Sequence, residues 1–179
     1  MYYTGKGDKG TSNLFNPSLR VSKSDKIFAV LGSLDELNSW LGFVSVESRE
    51  RSEICEIVKY IQNDLFIIQA YFASSNINVP QDLVILVEKK IDDISKVIKP
   101  RKSFVISGGS KLSALLDFSR TIARKAERQA VSFSKQNKIE NPLILPYLNR
   151  LSSLLYVLAR WENDLSGKSE ASPNYRHSN

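Results

Sequence analysis

Four cationic side chains and one carboxylate lie within nine residues of the stretch RTIARKAERQAV, Arg120 to Val131. On a helical projection the three arginines and Glu127 share one side. The apolar residues of the same segment gather on the opposite side: Leu112, Leu115, Ile122, Ala126, Ala130 and Phe133. Because a guanidinium group can bind two phosphate oxygens at once, this basic face could hold a phosphorylated ligand. The alternative is a solvated face on which the arginines pair with Glu127.

A second candidate for anion binding is the stretch TGKGDKGTS, Thr4 to Ser12. Its three glycines allow close approach of the backbone to an anion, its two lysines supply charge, and its hydroxyl groups donate hydrogen bonds. The spacing of a P-loop is absent and no strand precedes the stretch. A flexible N-terminus is therefore the competing interpretation.

Two further stretches carry polar side chains among apolar ones. In LGSLDELNSWLG, Asp35 and Glu36 are either acids of a first helical turn or partners of the surplus arginines. Asp35 falls near the apolar stripe, so we expect it to be partly buried and to need a cation. In YLNRLSSLLYVLAR, Asn149 is a capping or solvent residue unless a functional group faces it.

The composition excludes several kinds of chemistry. Cys55 is the only cysteine and His177 the only histidine among 179 residues, so an internal disulfide is excluded and few nitrogen or sulfur metal ligands exist. The usual histidine base and a Ser-His-Asp triad are also missing. The net charge of +6 favours an anionic partner, which is nucleic acid, a phosphorylated ligand or an acidic surface.

Helical spacing of apolar residues predicts the elements that position these groups. We expect five helices: one from Ser24 past Gly42, one from about Ile54 to Ser74, one from Leu83 to before Pro100, one from Lys111 to Ser134, and one from about Pro146 to Asn163. No strand series is evident, and the tail from Ser166 is polar and is expected to be mobile. The prediction is one all-α domain over residues 1–165, an antiparallel five-helix bundle. No apolar run has the length of a membrane span and no secretory leader is visible, so we expect a cytoplasmic protein.

Taken together, six stretches resemble the PduO-type ATP:cob(I)alamin adenosyltransferases. They are KGDKGTS, KSD, GSLDELNS, FVISGGS, RTIARKAER and YLNRLSSLLY, in the order of the family pattern and over nearly the whole chain. The chain departs from the pattern at four positions. Gly5 stands where the family often has Arg or Lys, Lys6 stands where it has Thr, Ser107 replaces Pro and Ser153 replaces Asp.

The resemblance implies a bundle with a four-helix core of ferritin-like architecture that assembles as a homotrimer, with ATP and cobalamin bound between subunits. It implies that the N-terminal loop, residues 3–23, wraps ATP through Thr4, Gly5, Lys6, Gly7, Asp8, Lys9, Gly10, Ser12, Asn13 and Lys23. On the fourth helix Arg124, Lys125, Glu127 and Arg128 would face ATP and its Mg²⁺, together with Asn149. Arg120 would form an intersubunit salt bridge with Asp35, and Phe104 would pack on the corrinoid side.

The implied reaction transfers the 5′-deoxyadenosyl group of ATP to cob(I)alamin. Reduced cobalt is itself the nucleophile, which accounts for the missing histidine base, and Arg124, Glu127, Asp35 and Arg120 are the implied catalytic set. No protein metal site is expected, since Mg²⁺ would be carried mainly by the phosphates. An external reductase and an adenosylcobalamin-dependent enzyme are the implied partners. The alternatives are a basic helical module for nucleic acid and a cobalamin carrier without catalysis. Glu127 within the basic face argues against nucleic acid.

Overall fold

Five α-helices dominate the computed structural model, which describes residues 2–15, 20–101 and 103–175. They are α1 (Lys26–Glu47), α2 (Ser52–Phe72), α3 (Leu83–Val97), α4 (Lys111–Ser134) and α5 (Ile144–Leu165). The predicted all-α bundle of five helices is confirmed. Residues 16–19 of the predicted ATP loop and residues 176–179 of the predicted tail, including His177, lie outside the described residues.

Local chemistry sets the ends of these helices. The Asp25 carboxylate accepts a hydrogen bond from the Ile27 N–H at 2.9 Å and caps α1, and the Ser110 hydroxyl caps α4 in the same way. At the end of α5, Gly167 has a φ of +61°. There the Lys168 N–H donates to the Asn163 carbonyl at 2.9 Å, which is the bond of a Schellman turn. This turn reverses the chain, so residues after Gly167 run back along the bundle.

All five helices contribute to the core: α4 packs against both α1 and α5, α2 packs against α1, and α3 packs against α5. Two ion pairs fix the relative direction of α1 and α4. Glu47 at the end of α1 binds Lys111 at the start of α4, and Glu36 binds Lys125 further along. These helices are therefore antiparallel, as predicted.

The third helix departs from simple antiparallel packing. Near its start Glu88 binds Arg150, which lies near the start of α5, with the two atoms 2.9 Å apart. Just after its end, the Lys99 N–H donates to Asp164 near the end of α5 at 2.8 Å. Hence α3 runs parallel to its neighbour α5. Because successive helices alternate in direction along the chain, the third and the fifth point the same way, and they are parallel where they pack together.

Among the described helices, α1 alone is long and apolar enough to cross a membrane by length and composition. Nine of its residues, Ile27, Val30, Ser33, Leu34, Leu37, Asn38, Leu41, Val44 and Ser45, are buried within the bundle. The apolar side of α1 is accounted for by the core.

A short β-hairpin precedes the helices and was missed by the sequence prediction, which saw no strands. Thr11–Asn13 (β1) pairs antiparallel with Arg20–Ser22 (β2). Strands of three residues are too short to show an alternating pattern. The Phe15 N–H donates to the Ala73 carbonyl just after α2, which attaches the hairpin to the end of the bundle where α2 ends. We call this the hairpin end and the opposite end, where α5 ends, the tail end.

Candidate active site

The outer face of α4 carries two arginines that no described residue neutralises. Arg124 and Arg128 are both exposed. Across residues 2–15, 20–101 and 103–175, neither has a hydrogen-bond or ion-pair partner. The alternative in which they pair with Glu127 is therefore not realised within the described chain. Unpaired guanidinium groups on a helix face remain available to an anionic ligand.

Glu127 is instead held by the fifth helix. The Asn149 amide donates to Glu127 Oε1 at 2.8 Å, and Arg150 donates to Asn149 Oδ1 at 2.8 Å. Arg150 is held in turn by Glu88. The sequence left open which group faces Asn149. That group is Glu127, which is itself a predicted site residue. The structure brings Glu127, Asn149, Arg124 and Arg128 to one surface.

Lys125 takes a different direction from its neighbours. Its ammonium group lies 2.5 Å from Glu36 Oε2, and both side chains are about half exposed. Glu36 lies well inside α1, so the interpretation of Asp35 and Glu36 as first-turn acids is wrong. Lys125 contributes to packing of α1 on α4 in the isolated chain.

The N-terminal loop folds into tight turns that depend on glycine. Gly5 has a φ of +67° and Gly10 a φ of +76°, which is the left-handed region that other residues avoid. The Asp8 N–H donates to the Gly5 carbonyl, and the Lys23 N–H donates to the Gly10 carbonyl at 2.9 Å. The loop is therefore attached to the strand that follows it. Thr4, Lys6, Asp8 and Lys9 are exposed on it, and Ser12 is half-buried.

Arg20, which no sequence motif indicated, holds this loop in place through hydrogen bonds. Its guanidinium donates to Thr11 Oγ1 at 2.9 Å and to Asn13 Oδ1 at 2.8 Å, and also to the Lys6 carbonyl. The Asn13 side-chain oxygen, a predicted ATP ligand, is therefore engaged within the hairpin. A Cβ on Gly7 would meet the Lys23 ammonium at 3.1 Å, so Gly7 and Lys23, both predicted to bind ATP, lie side by side.

Arg120 and Asp35 do not meet within one chain. Asp35 is exposed on α1, so the expectation that it is partly buried is wrong for the described chain. It follows the buried Leu34 by about 100° around the helix, which turns its side chain away from the core. The carboxylate nearest Arg120 is that of Asp117, 4.0 Å away, and Arg120 Nε is buried with no hydrogen-bond partner among the described residues.

A cavity of about 730 Å³ at the tail end holds the predicted corrinoid contact. Phe104 is 80% exposed and lines it with Arg120 and Tyr156. The remaining lining residues come from the loop before α4 and from the tail: Arg101, Ser103, Val105, Ser172, Pro173 and Tyr175. Ser103 and Ser172 hydroxyls are 2.6 Å apart, so the tail contributes to this cavity. The predicted mobility of the tail stays a prediction.

The described residues contain no cluster of three metal-ligating side chains. Glu127 shares the α4 face with Arg124 and Arg128, and one carboxylate is insufficient for a protein-bound metal. A Mg²⁺ ion, which keeps several waters and takes its other ligands from phosphates, fits a site of this kind.

Comparison with known proteins decides the family. The model of the cobalamin adenosyltransferase family matches residues 2–162. The chain belongs to the cobalamin adenosyltransferase family. It is 36% identical to the corrinoid adenosyltransferase of Mycobacterium tuberculosis over 171 residues, which cover 90% of this chain and 88% of that protein. It is 33% identical to the Bacillus subtilis corrinoid adenosyltransferase over 172 residues, 92% of this chain and 88% of that protein.

A solved structure extends this similarity to the fold of the adenosyltransferase family. A variant of the PduO-type ATP:corrinoid adenosyltransferase from Lactobacillus reuteri, complexed with cobalamin and ATP, superposes with a TM-score of 0.91. The two chains are 30% identical, and the alignment covers 99% of this chain and 100% of that chain. The family resemblance inferred from the six stretches is confirmed.

Sequence reasoning missed a charged network at the tail end of this adenosyltransferase-family chain. Arg160, whose side chain is 1% exposed, lies 2.5 Å from Asp117, and Glu170 lies beside both Arg160 and Arg101. Burial would lower the pKa of Arg101, but hydrogen bonds to Asp164 and Glu170 raise it. The available signal was an arginine and an aspartate at apolar positions of two predicted core helices.

Proposed function

We propose that the protein transfers the 5′-deoxyadenosyl group of ATP to cob(I)alamin, giving adenosylcobalamin and triphosphate. Membership of the cobalamin adenosyltransferase family supports this activity. One observation assigns this activity to particular residues. Arg124 and Arg128 are exposed and unpaired within the described chain, beside a Glu127 carboxylate that Asn149 holds. Such a surface has the charge required for a triphosphate.

The reaction needs orientation and charge stabilisation rather than a base. The lone pair of cobalt(I) forms the bond to the 5′ carbon as the bond from that carbon to oxygen breaks. The electron pair of the broken bond leaves with the triphosphate, and cobalt is formally oxidised from +1 to +3. Fixed guanidinium groups stabilise the charge on the leaving oxygen, and binding both reactants supplies their alignment. No step requires a histidine.

We propose that the hairpin-end loop and the α4 face hold ATP together. The turns at Gly5 and Gly10, braced by Arg20, expose backbone N–H groups and Lys9 to an anion. Arg124 would bind phosphate oxygens. Because Asn149 fixes the Glu127 carboxylate in the free chain, Glu127 would accept from ATP or from the water shell of its Mg²⁺ without a costly rearrangement.

An aromatic patch supports the proposed homotrimer. Trp40 contacts the rings of Phe43 and Phe118 edge to face, and both phenylalanines are about half exposed. The patch lies on α1 and α4, the helices that also carry Asp35 and Arg120. Exposed apolar patches of this kind mark interfaces. A trimer that covers it would let Asp35 of one subunit reach the partly exposed Arg120 guanidinium of the next, which lies only at 4.0 Å from Asp117 within its own chain.

We propose that the cavity at the tail end receives the corrinoid. The exposed ring of Phe104 offers an apolar surface that excludes water and the displaced base from the lower face of cobalt. A cobalt centre without that ligand is more easily reduced to cobalt(I). The electrons would come from an external reductase, and the product would serve an adenosylcobalamin-dependent enzyme in the cytoplasm.

The test is anaerobic incubation with ATP, Mg²⁺ and chemically reduced cobalamin while the absorbance of the corrinoid is recorded. We expect conversion to adenosylcobalamin by the unaltered protein. Arg124→Ala should lower kcat by about 10²–10³-fold, the usual effect of losing one group that stabilises a leaving charge. Arg49→Ala, which removes an exposed arginine at the tail end, is the matched control and should convert at the normal rate.

Three results would contradict the proposal in different ways. No conversion by the unaltered protein, with corrinoid bound, would leave a carrier without catalysis. Tight binding of DNA that weakens steeply with salt and ignores ATP would favour the nucleic-acid module. Full activity of Arg124→Ala would remove the role given to the α4 face.

A further inference from the structure

Glu170 joins two arginines that are otherwise on separate elements. One carboxylate oxygen lies 2.8 Å from Arg160 Nε on α5, and the other accepts from Arg101 in the loop after α3. The Glu170 side chain is 5% exposed and that of Arg160 is 1% exposed. A carboxylate this deeply placed between two cations is held in one position, because moving either charge away would leave a buried charge unpaired.

The carboxylate belongs to a longer row of alternating charges. Asp117 of α4 lies 2.5 Å from another nitrogen of the Arg160 guanidinium, and Asp164 lies 2.8 Å from Arg101. With Arg120 near Asp117, three guanidinium groups face three carboxylates. Removing the charge of Glu170 would leave this row one positive charge in excess beneath the tail.

Glu170 also sets the register of the tail against the loop that carries Phe104. The next residue, Ala171, accepts from the Ile106 N–H at 2.8 Å, and Ser172 bonds Ser103. These two contacts lie on either side of Phe104 in sequence. The loop can therefore keep its position only while the tail keeps its own.

Asn163 strengthens the same connection. Its amide donates to Glu170 Oε1 at 2.8 Å and to the Gly108 carbonyl at 2.9 Å, which lies just before α4. Arg160 in turn lies over the ring of Tyr156, 5.0 Å from its centre, and Tyr156 is a wall of the cavity. Glu170 is thus connected to both aromatic residues of the cavity, to Phe104 through the tail and to Tyr156 through Arg160.

We infer that Glu170 is a positioning residue for the corrinoid: it fixes the tail and the 103–106 segment as one unit, so that the Phe104 ring stands at the correct place in the cavity. The inference rests on the proposed function, since the cavity is taken to bind cobalamin. Glu170 does not touch the reacting atoms and acts through the segment it holds.

The test compares Glu170→Gln, which keeps the shape and removes the charge, with Glu50→Gln, an exposed carboxylate at the same end of the bundle. The first readout is hydrogen exchange of the Ile106 amide in the protein without substrates. We expect exchange to be roughly tenfold faster in Glu170→Gln and unchanged in Glu50→Gln, because the bond to Ala171 opens locally when the tail is released.

The second readout is the affinity for each substrate, measured separately. The dissociation constant for cob(II)alamin, followed by absorbance, should rise roughly tenfold in Glu170→Gln, while the KM for ATP stays within about twofold. If Glu170 contributed only to general stability, the affinities for both substrates would fall together. Ser172→Ala, which loosens the same segment without burying a charge, should shift both readouts in the same direction by less. If Glu170→Gln does not fold, Ser172→Ala takes its place in both measurements.

Each contrary outcome has one meaning. Unchanged Ile106 exchange in Glu170→Gln would show that Glu170 does not hold the segment. Faster exchange with unaltered corrinoid affinity would show that the held segment does not position Phe104. Either result overturns the inference. Corrinoid binding without conversion by the unaltered protein would sink the proposed reaction and leave the positioning role standing.

Discussion

A buried carboxylate on α2 should make stability fall as pH rises. Asp64 is 4% exposed, and its Oδ2 atom has no hydrogen-bond partner within the described ranges. Burial raises the pKa of Asp64 from 3.8 to about 6, and the nearby Tyr147 hydroxyl lowers it only in part. Burial also raises the pKa of Tyr147 well above its ordinary value, so Tyr147 stays neutral.

The sign follows from which state holds the proton more tightly. Because the pKa is raised on folding, the folded chain binds the proton of Asp64 better than the unfolded chain does. The resulting stabilisation is fully present below about pH 3.8 and is lost as pH rises through about 6. A shift of about two units corresponds to about 3 kcal/mol in all, of which about 2 kcal/mol is lost between about pH 4.5 and 7.5.

The perturbation is Asp64→Asn, which keeps the size of the side chain and cannot ionise. The assay is urea unfolding of both proteins at one concentration across that pH range. Between about pH 4.5 and 7.5, the free energy of unfolding of Asp64→Asn should rise by about 2 kcal/mol relative to that of the unaltered protein. Asp92→Asn, an exposed position on α3, is the control and should follow the unaltered protein. A constant difference between Asp64→Asn and the unaltered protein at every pH would refute the reasoning.

Two further predictions concern assembly and the turn before α4. Asp35→Ala should raise the dissociation constant of the proposed trimer at least about tenfold, because it removes the proposed partner of Arg120, and sedimentation velocity should reveal smaller species. An unchanged trimer would contradict the salt bridge. Gly109→Ala should lower the free energy of unfolding by about 1–3 kcal/mol more than Gly108→Ala. Both glycines have positive φ, but only at Gly109 would a Cβ meet another side chain, 2.3 Å from Asn163. Equal urea midpoints for the two variants would exclude that clash.

The helices were predictable because each repeats its apolar residues at helical spacing. The predicted fourth helix, Lys111 to Ser134, has the observed bounds, and the predicted start of the fifth near Pro146 is two residues late. Pairing between segments far apart in sequence leaves no such period. The parallel placement of α3 beside α5 was missed for that reason, and the hairpin was missed because its three-residue strands are too short to show a period.

The site divides in the same way. The arginines of α4 were recognisable because their charge opposes an apolar stripe on one helix. That Glu127 is bonded by Asn149 could not be read from one helix, since the contact joins two. Asp35 was expected to be partly buried because it falls near the apolar stripe, whereas α1 turns it to the surface, and its proposed partner belongs to another subunit. The network around Glu170 joins α4, α5, a loop and the tail, and no local pattern contains it.

The position of Glu170 along the chain also sets an order of assembly during synthesis. Glu170 leaves the ribosome after all five helices, so Arg160 and Arg101 wait for their shared carboxylate until α5 is complete. The pairing of α1 with α2 requires nothing from the tail and can form early. The tail end of the bundle is therefore the last part of the chain to mature, and a nascent chain completes the walls of the cavity there only after all five helices are in place.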